Sequence, residues 1–127
     1  MAGRRAWQDD ELRALAGLRE LHIAAPRAGG GFGRCVPIWV VVVDGDVFVR
    51  TWQRRDTGWY GRAVAQGTAQ VEVASRPIDV TVEVVGERDR DAVDDAYRAK
   101  YGSAGAGSMV TAEAAASTLL LTPADEA

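Results

Sequence analysis

Apolar positions along the chain fall into two rhythms, and each stretch predicts an element. Leu12, Leu15 and Leu18 recur at helical spacing behind Asp9, Asp10 and Glu11, acids that a helix dipole favours in a first turn. Residues 8–18 therefore read as an N-terminal helix. A short strand at 20–24 runs into a Gly-rich stretch, 26–33. Residues 36–43 are apolar throughout and rich in β-branched side chains, which places that strand centrally, with both faces covered. Asp44-Gly45-Asp46 is a hairpin turn, and 47–52 is its returning arm. A polar loop, 53–57, precedes a short helix at 58–65. Ala69, Val71 and Val73 then alternate with polar neighbours, as do Ile78, Val80, Val82 and Val84, so 68–73 and 78–84 are strands with one buried face.

Val93, Ala96, Tyr97 and Tyr101 share one side of a helix at 90–101 that Gly102 stops. A small-residue linker at 102–108 follows. Residues 118–121 form the last strand, Pro123 ends it, and 124–127 are a frayed tail. The pattern gives one domain over 1–127, without internal repeats. Six strands and three peripheral helices predict an α+β chain folded as a small, mostly antiparallel barrel or strongly bent sheet.

Composition narrows the function classes. The chain has 127 residues, 47% of them hydrophobic and 26% charged, as in a globular domain. Its net charge of −3 argues against wholesale nucleic-acid binding. The apolar stretch 35–43 is far too short to span a bilayer, and Arg4-Arg5 is followed by polar residues and not by a secretory core. A cytoplasmic protein is expected. Cys35 is the only cysteine, so neither an internal disulfide nor a structural zinc site is expected.

The catalytic options are few. His22 is the only histidine, so any His-dependent nucleophilic mechanism runs through it, and Cys35 is its one thiol partner. Gly29-Gly30-Gly31-Phe32-Gly33 lacks the spacing of a dinucleotide fingerprint and leads into a strand, so it reads as a flexible connection; Arg27 and Arg34 on its flanks leave an anion-binding role open. The acidic run Asp89, Asp91, Asp94 and Asp95 reads as the start and solvated face of a helix. Residues 50–62 stand out: Arg50, Arg54, Arg55 and Arg62 face a single Asp56, among Trp52, Trp59 and Tyr60. Guanidinium forks bind phosphate or carboxylate, and aromatic faces accept a flat ring. The same residues would also suit a solvated hairpin end with aromatic anchors.

The run Pro37-Ile38-Trp39-Val40-Val41-Val42-Val43-Asp44-Gly45-Asp46-Val47-Phe48-Val49-Arg50-Thr51, then Gly58-Trp59-Tyr60, resembles split β-barrel proteins that bind flavin or deazaflavin, the pyridoxamine-phosphate-oxidase-like and deazaflavin-dependent nitroreductase-like families. Trp59-Tyr60-Gly61-Arg62-Ala63, Asp95-Ala96-Tyr97-Arg98-Ala99-Lys100-Tyr101-Gly102 and Thr118-Leu119-Leu120-Leu121-Thr122-Pro123 are similar to a small bacterial branch known only as a domain of unknown function. The resemblance covers about residues 7–123. It implies a six-stranded split β-barrel with peripheral helices, commonly a homodimer. It also implies a cofactor, FMN or the deazaflavin F420, although some small members carry none. The cofactor-binding residues it implies are Arg50, Thr51, Arg54, Arg55, Trp59 and Arg62. Where relatives often open the short helix with a lysine, this chain has Trp59.

Three functions are expected from these readings. The first is a flavin- or deazaflavin-dependent oxidoreductase acting on a small organic substrate by hydride transfer. The second is a cofactor-free cyclase or isomerase of specialised metabolism, using Tyr60, His22 or Trp39. The third is a non-catalytic small-molecule-binding protein.

Overall fold

The structure is a computed structural model and describes residues 6–51 and 58–124. The N-terminal helix α1 (Asp9–Gly17) starts where Gln8 N–H donates to the Glu11 carboxylate at 2.8 Å, satisfying an otherwise orphaned donor, and it buries Leu15. Then come β1 (Leu21–Ala24), β2 (Val36–Ile38), β3 (Val40–Val43), β4 (Asp46–Val49), α2 (Gly58–Gln66), β5 (Thr68–Val73) and β6 (Arg76–Val84). The helix α3 (Arg90–Tyr101) ends at Gly102, whose φ of 83° no other residue adopts easily. A 3-10 turn (Gly107–Met109), a five-residue helix α4 (Ala112–Ala116) and β7 (Leu119–Pro123) complete the chain. The sequence reading missed α4, which is too short to show periodicity. Thr111 caps it, its hydroxyl accepting from Ala114 N–H at 3.1 Å.

Both hairpins close through two residues at positive φ, the geometry that matches strand twist. Asp44 and Gly45 (φ 50° and 83°) join β3 to β4. Ala74 and Ser75 (φ 52° and 65°) join β5 to β6 without a glycine. The seven strands form one sheet in the order β2-β1-β5-β6-β7-β4-β3, antiparallel at every pairing. This is the expected α+β split barrel, with one strand more than the six read from sequence. The extra strand arises because 36–43 is broken at Trp39. Its first half pairs with β1 and its second with β4, so this one run of chain supplies both edges of the sheet. The central placement expected for 36–43 is therefore corrected.

The double-sided apolar pattern of that run has another cause. Val40, Val47, Val49, Val71, Val80 and Leu121 fill the barrel interior with Leu15 of α1, and Trp7 Nε1 donates to the Leu121 carbonyl at 3.0 Å. On the outer side, Val41 and Phe48 pack against Val93, Tyr97 and Tyr101 of α3. The helix thus covers the outer face of that run. It also supplies the hydrogen bonds that the exposed edge of β3 lacks. Val40 N–H donates to the Tyr101 hydroxyl at 3.1 Å, and Lys100 Nζ donates to the Val40 carbonyl at 2.7 Å. The break at Trp39 is thus held open by the C-terminal end of α3.

Candidate functional site

Beside that break lies a cavity of about 570 Å³, within the size range of small-molecule sites. Four stretches build its walls. β2 and Trp39 form one, Arg50 and Thr51 at the end of β4 a second, Gly58, Trp59 and Arg62 of α2 a third, and Ser108 with Met109 a fourth; Glu20 and Arg34 complete the rim. Five residues expected to serve the site, Trp39, Arg50, Thr51, Trp59 and Arg62, are brought together here although they lie up to 23 positions apart in sequence. Arg54 and Arg55 lie outside the described residues, as does Trp52.

Arg62 and Arg34 are exposed and form no hydrogen bond or ion pair among the described residues. They are cations available to a ligand. Arg34 arrives through the Gly-rich stretch, which folds back on itself: Arg27 N–H donates to the Gly31 carbonyl at 2.9 Å, Gly30 N–H to the Arg27 carbonyl at 3.1 Å, and Pro26 bridges Phe32. Those backbone amides are spent internally, so the stretch is a connection, and Arg34 alone of its two flanking arginines lines the cavity.

Arg50 departs from the expected open anion fork. Its side chain is fully buried, and its Nη1 pairs with Asp94 of α3 and donates to the Met109 carbonyl at 2.7 Å, while Nε donates to the Thr118 hydroxyl at 2.8 Å. Only Nη2 is left without a hydrogen bond, and the guanidinium lies 5.5 Å from the centre of the Tyr97 ring. Asp94 also accepts from Arg90 at 3.4 Å, and Arg90 reaches the Val110 carbonyl at 3.3 Å. Asp94 is thus no part of a solvated acidic face: it is a buried post that holds Arg50 and, through it, the Met109 wall of the cavity.

Two residues expected in catalysis stand apart. Tyr60 neighbours Trp59, but consecutive residues of a helix point about 100° apart. Trp59 faces the cavity while Tyr60 faces the core, 6% exposed, its hydroxyl donating to the Ser117 carbonyl at 2.9 Å. His22 is exposed on β1 in register with Pro37 and does not line the cavity. Cys35 is exposed as well, and no hydrogen bond joins it to His22. No cluster of three or more metal-ligating side chains occurs among the described residues.

Tyr97, Lys100 and Tyr101 of α3 do not line the cavity and belong to its support. Burial pushes the Tyr97 hydroxyl well above the usual tyrosine range, against the Arg50 charge, which pulls it down. Burial also raises Tyr101, against its hydrogen bond with the Val40 backbone. Lys100 is pulled down to about 8 by burial and then by the Arg19 charge, against two carbonyl acceptors, Val40 at 2.7 Å and Leu15 at 3.2 Å, that favour its ammonium form.

Ser108, Met109 and Glu20 were not foreseen as lining residues. Ser108 ends the linker of small residues and Met109 follows it; Met109 is held by the Arg50 bond to its carbonyl and by packing against Val41, Phe48 and α3.

A family model described as "uncharacterized protein conserved in bacteria", DUF2255, matches residues 11–121. The chain belongs to that family. No curated protein matches it. Among solved structures, a conserved hypothetical protein from Mycobacterium tuberculosis superposes with a TM-score of 0.64 at 12% identity, over 94% of this chain and 80% of that one. A FAD-binding protein from Mesorhizobium loti gives 0.55 at 13% identity, over 100% and 94%. A protein titled F420 reductase gives 0.53 at 12% identity, over 95% and 97%. At such identities the likeness establishes the fold alone: this chain shares the split β-barrel of those structures.

Proposed function

We propose that the cavity beside Trp39 binds FMN or the deazaflavin F420, and that the protein is an oxidoreductase acting on a small organic substrate. The observation that carries this reading is the convergence of two guanidinium groups unpaired among the described residues, Arg34 and Arg62, with two indoles, Trp39 and Trp59, on one cavity of about 570 Å³. That donor set fits an anionic ligand with a flat ring: Arg34 and Arg62 would hold the phosphate, with the Thr51 and Ser108 side chains as neutral partners, and the indoles would flank the ring. When bound, such a cofactor supplies hydride transfer. The chain's own residues bind, orient and exclude water, which agrees with the lack of a His-centred dyad at the cavity. Arg50, Arg54 and Arg55 are the remaining cofactor-binding candidates; Arg50 contributes at most through Nη2.

The test is affinity. Charge-assisted bonds to phosphate contribute about 1.5–3 kcal/mol each, so Arg34→Ala and Arg62→Ala should each weaken FMN or F420 binding roughly 10- to 150-fold. Both residues are exposed, so melting temperature should barely move. Wild-type affinity in both variants would defeat the assignment.

A second reading is a cofactor-free cyclase or isomerase, or a binding protein, in the same cavity. One observation favours it: Glu20 lines the cavity without a hydrogen bond or ion pair among the described residues, a carboxylate free for acid–base work. Loss of turnover in Glu20→Gln without any added cofactor would select it. In either case the protein is proposed to be a cytoplasmic homodimer; among the described residues no helix is long and apolar enough to cross a membrane.

A further inference from the structure

Trp39 is the one residue between the two edges of the sheet, and no strand pairing includes it. Its indole must be fixed by something else. The structure puts the Tyr101 ring against it, centroids 4.1 Å apart and planes within 3°. Tyr101 does not line the cavity, whereas Trp39 does. Tyr101 is itself anchored from several sides. Its hydroxyl accepts from Val40 N–H at 3.1 Å and donates to the Arg19 carbonyl at 2.9 Å. The Arg19 and Lys100 cations lie 5.6 and 5.3 Å from its ring centre, and Tyr97 stacks at 6.0 Å. Lys100 ties the same corner down through the Val40 carbonyl at 2.7 Å.

We infer that Tyr101 is a positioning residue: it holds Trp39 as the stacking wall for the flat ring of the ligand, so the C-terminal end of α3 sets how well the cavity binds. This rests on the reading that the cavity takes a planar anion. One indole face is covered by Tyr101, which leaves Trp39 preorganised, and a preorganised wall binds without an ordering cost. Among the described residues Trp59 has no such backing: its one aromatic neighbour there, Tyr60, meets it edge-on at 5.6 Å.

Binding of FMN, with anilinonaphthalene sulfonate as an unrelated planar anion, should be measured for wild type, Tyr101→Phe, Tyr101→Leu and Trp39→Leu. Near-UV circular dichroism of the free proteins reports the stacked pair. Tyr101→Leu should lose the dichroic signal that Trp39→Leu also loses, and should bind about 2- to 13-fold more weakly, the range of an aromatic pair. Tyr101→Phe keeps the ring and should retain the signal and most of the affinity, a rescue that a purely structural hydroxyl would not give. A folded Tyr101→Leu that binds both probes like wild type overturns the inference. If Tyr101→Leu does not fold, Trp39→Leu decides: undiminished binding there overturns the inference equally. A wild type that binds anilinonaphthalene sulfonate but not FMN removes FMN as the ligand and leaves F420, and the Tyr101 series on the sulfonate still decides the positioning. Binding of neither probe by wild type overturns the inference and removes FMN as the ligand.

Discussion

Removing Asp94 is the sharpest perturbation the structure offers. Its carboxylate pairs with Arg50, whose side chain is 0% exposed while that of Asp94 is 8% exposed. Asp94→Ala strands a guanidinium in the core with only neutral neighbours: the Thr118 hydroxyl, the Met109 carbonyl and the Tyr97 ring. Breaking a buried pair from one side costs about 3–5 kcal/mol, most of it the uncompensated charge. The contact with Arg90 adds little, because that arginine is about a third exposed and the bond is long at 3.4 Å. Domains of this kind have about 5–15 kcal/mol of stability in total, so a large share is at stake. At this chain length the loss lowers Tm by roughly 10–20 °C. Urea unfolding of Asp94→Ala, Arg50→Met and the double variant Arg50→Met/Asp94→Ala measures it. The double variant should cost far less than the two single losses added, since neither charge is then left alone. Single losses under about 1 kcal/mol, or strict additivity, would refute the account, because such values belong to a solvated surface pair.

Three further outcomes follow from particular geometries. Ala74 and Ser75 hold left-handed backbone in a turn that favours Asn-Gly, so Ala74→Asn/Ser75→Gly should raise unfolding free energy by about 1 kcal/mol or more in urea titration. Lys100 has a folded pKa of about 8 against an ordinary 10.5, so between these values the unfolded chain binds more protons and stability rises with pH. Above about pH 10 the raised Tyr97 and Tyr101 work in the opposite sense, because the unfolded tyrosines ionise first. Urea midpoints from pH 8 to 10 should climb in wild type relative to Lys100→Met, and parallel curves would reject that assignment. Light scattering at micromolar concentration should give twice 13.6 kDa, and a monomer mass would contradict the homodimer.

What was legible in the sequence is what local pattern encodes. The alternation in β5, and in β6 as far as Val80, the Asp44-Gly45 turn and the face of α3 each follow from side chains a few positions apart, whereas Val84, expected on the buried face, is half exposed. The break at Trp39 does not. Residues 36–43 carry no polar marker there, and the cause is Lys100 and Tyr101, about 60 positions away. Arg50 looked like a ligand fork because its partner Asp94, 44 positions on, looked like one more acid on a wet helix. Trp59 and Arg62 were expected at the site because aromatic and cationic residues concentrate at 50–62; Thr51 came only from the resemblance, and Trp39 only as a group for the cofactor-free reading. Met109 and Ser108 were not expected, since Met109 is held by the bond from the distant Arg50 to its carbonyl.

The claim that matters most is that the cavity takes an anionic, ring-bearing cofactor. Titrating the purified protein with FMN, F420 and riboflavin, followed by absorbance and fluorescence, tests it most directly. The account predicts saturable binding of FMN or F420, and FMN at least about 10-fold tighter than riboflavin, which lacks the phosphate that Arg34 and Arg62 would hold. No spectral change with either FMN or F420, or equal affinity for FMN and riboflavin without F420 binding, would contradict it.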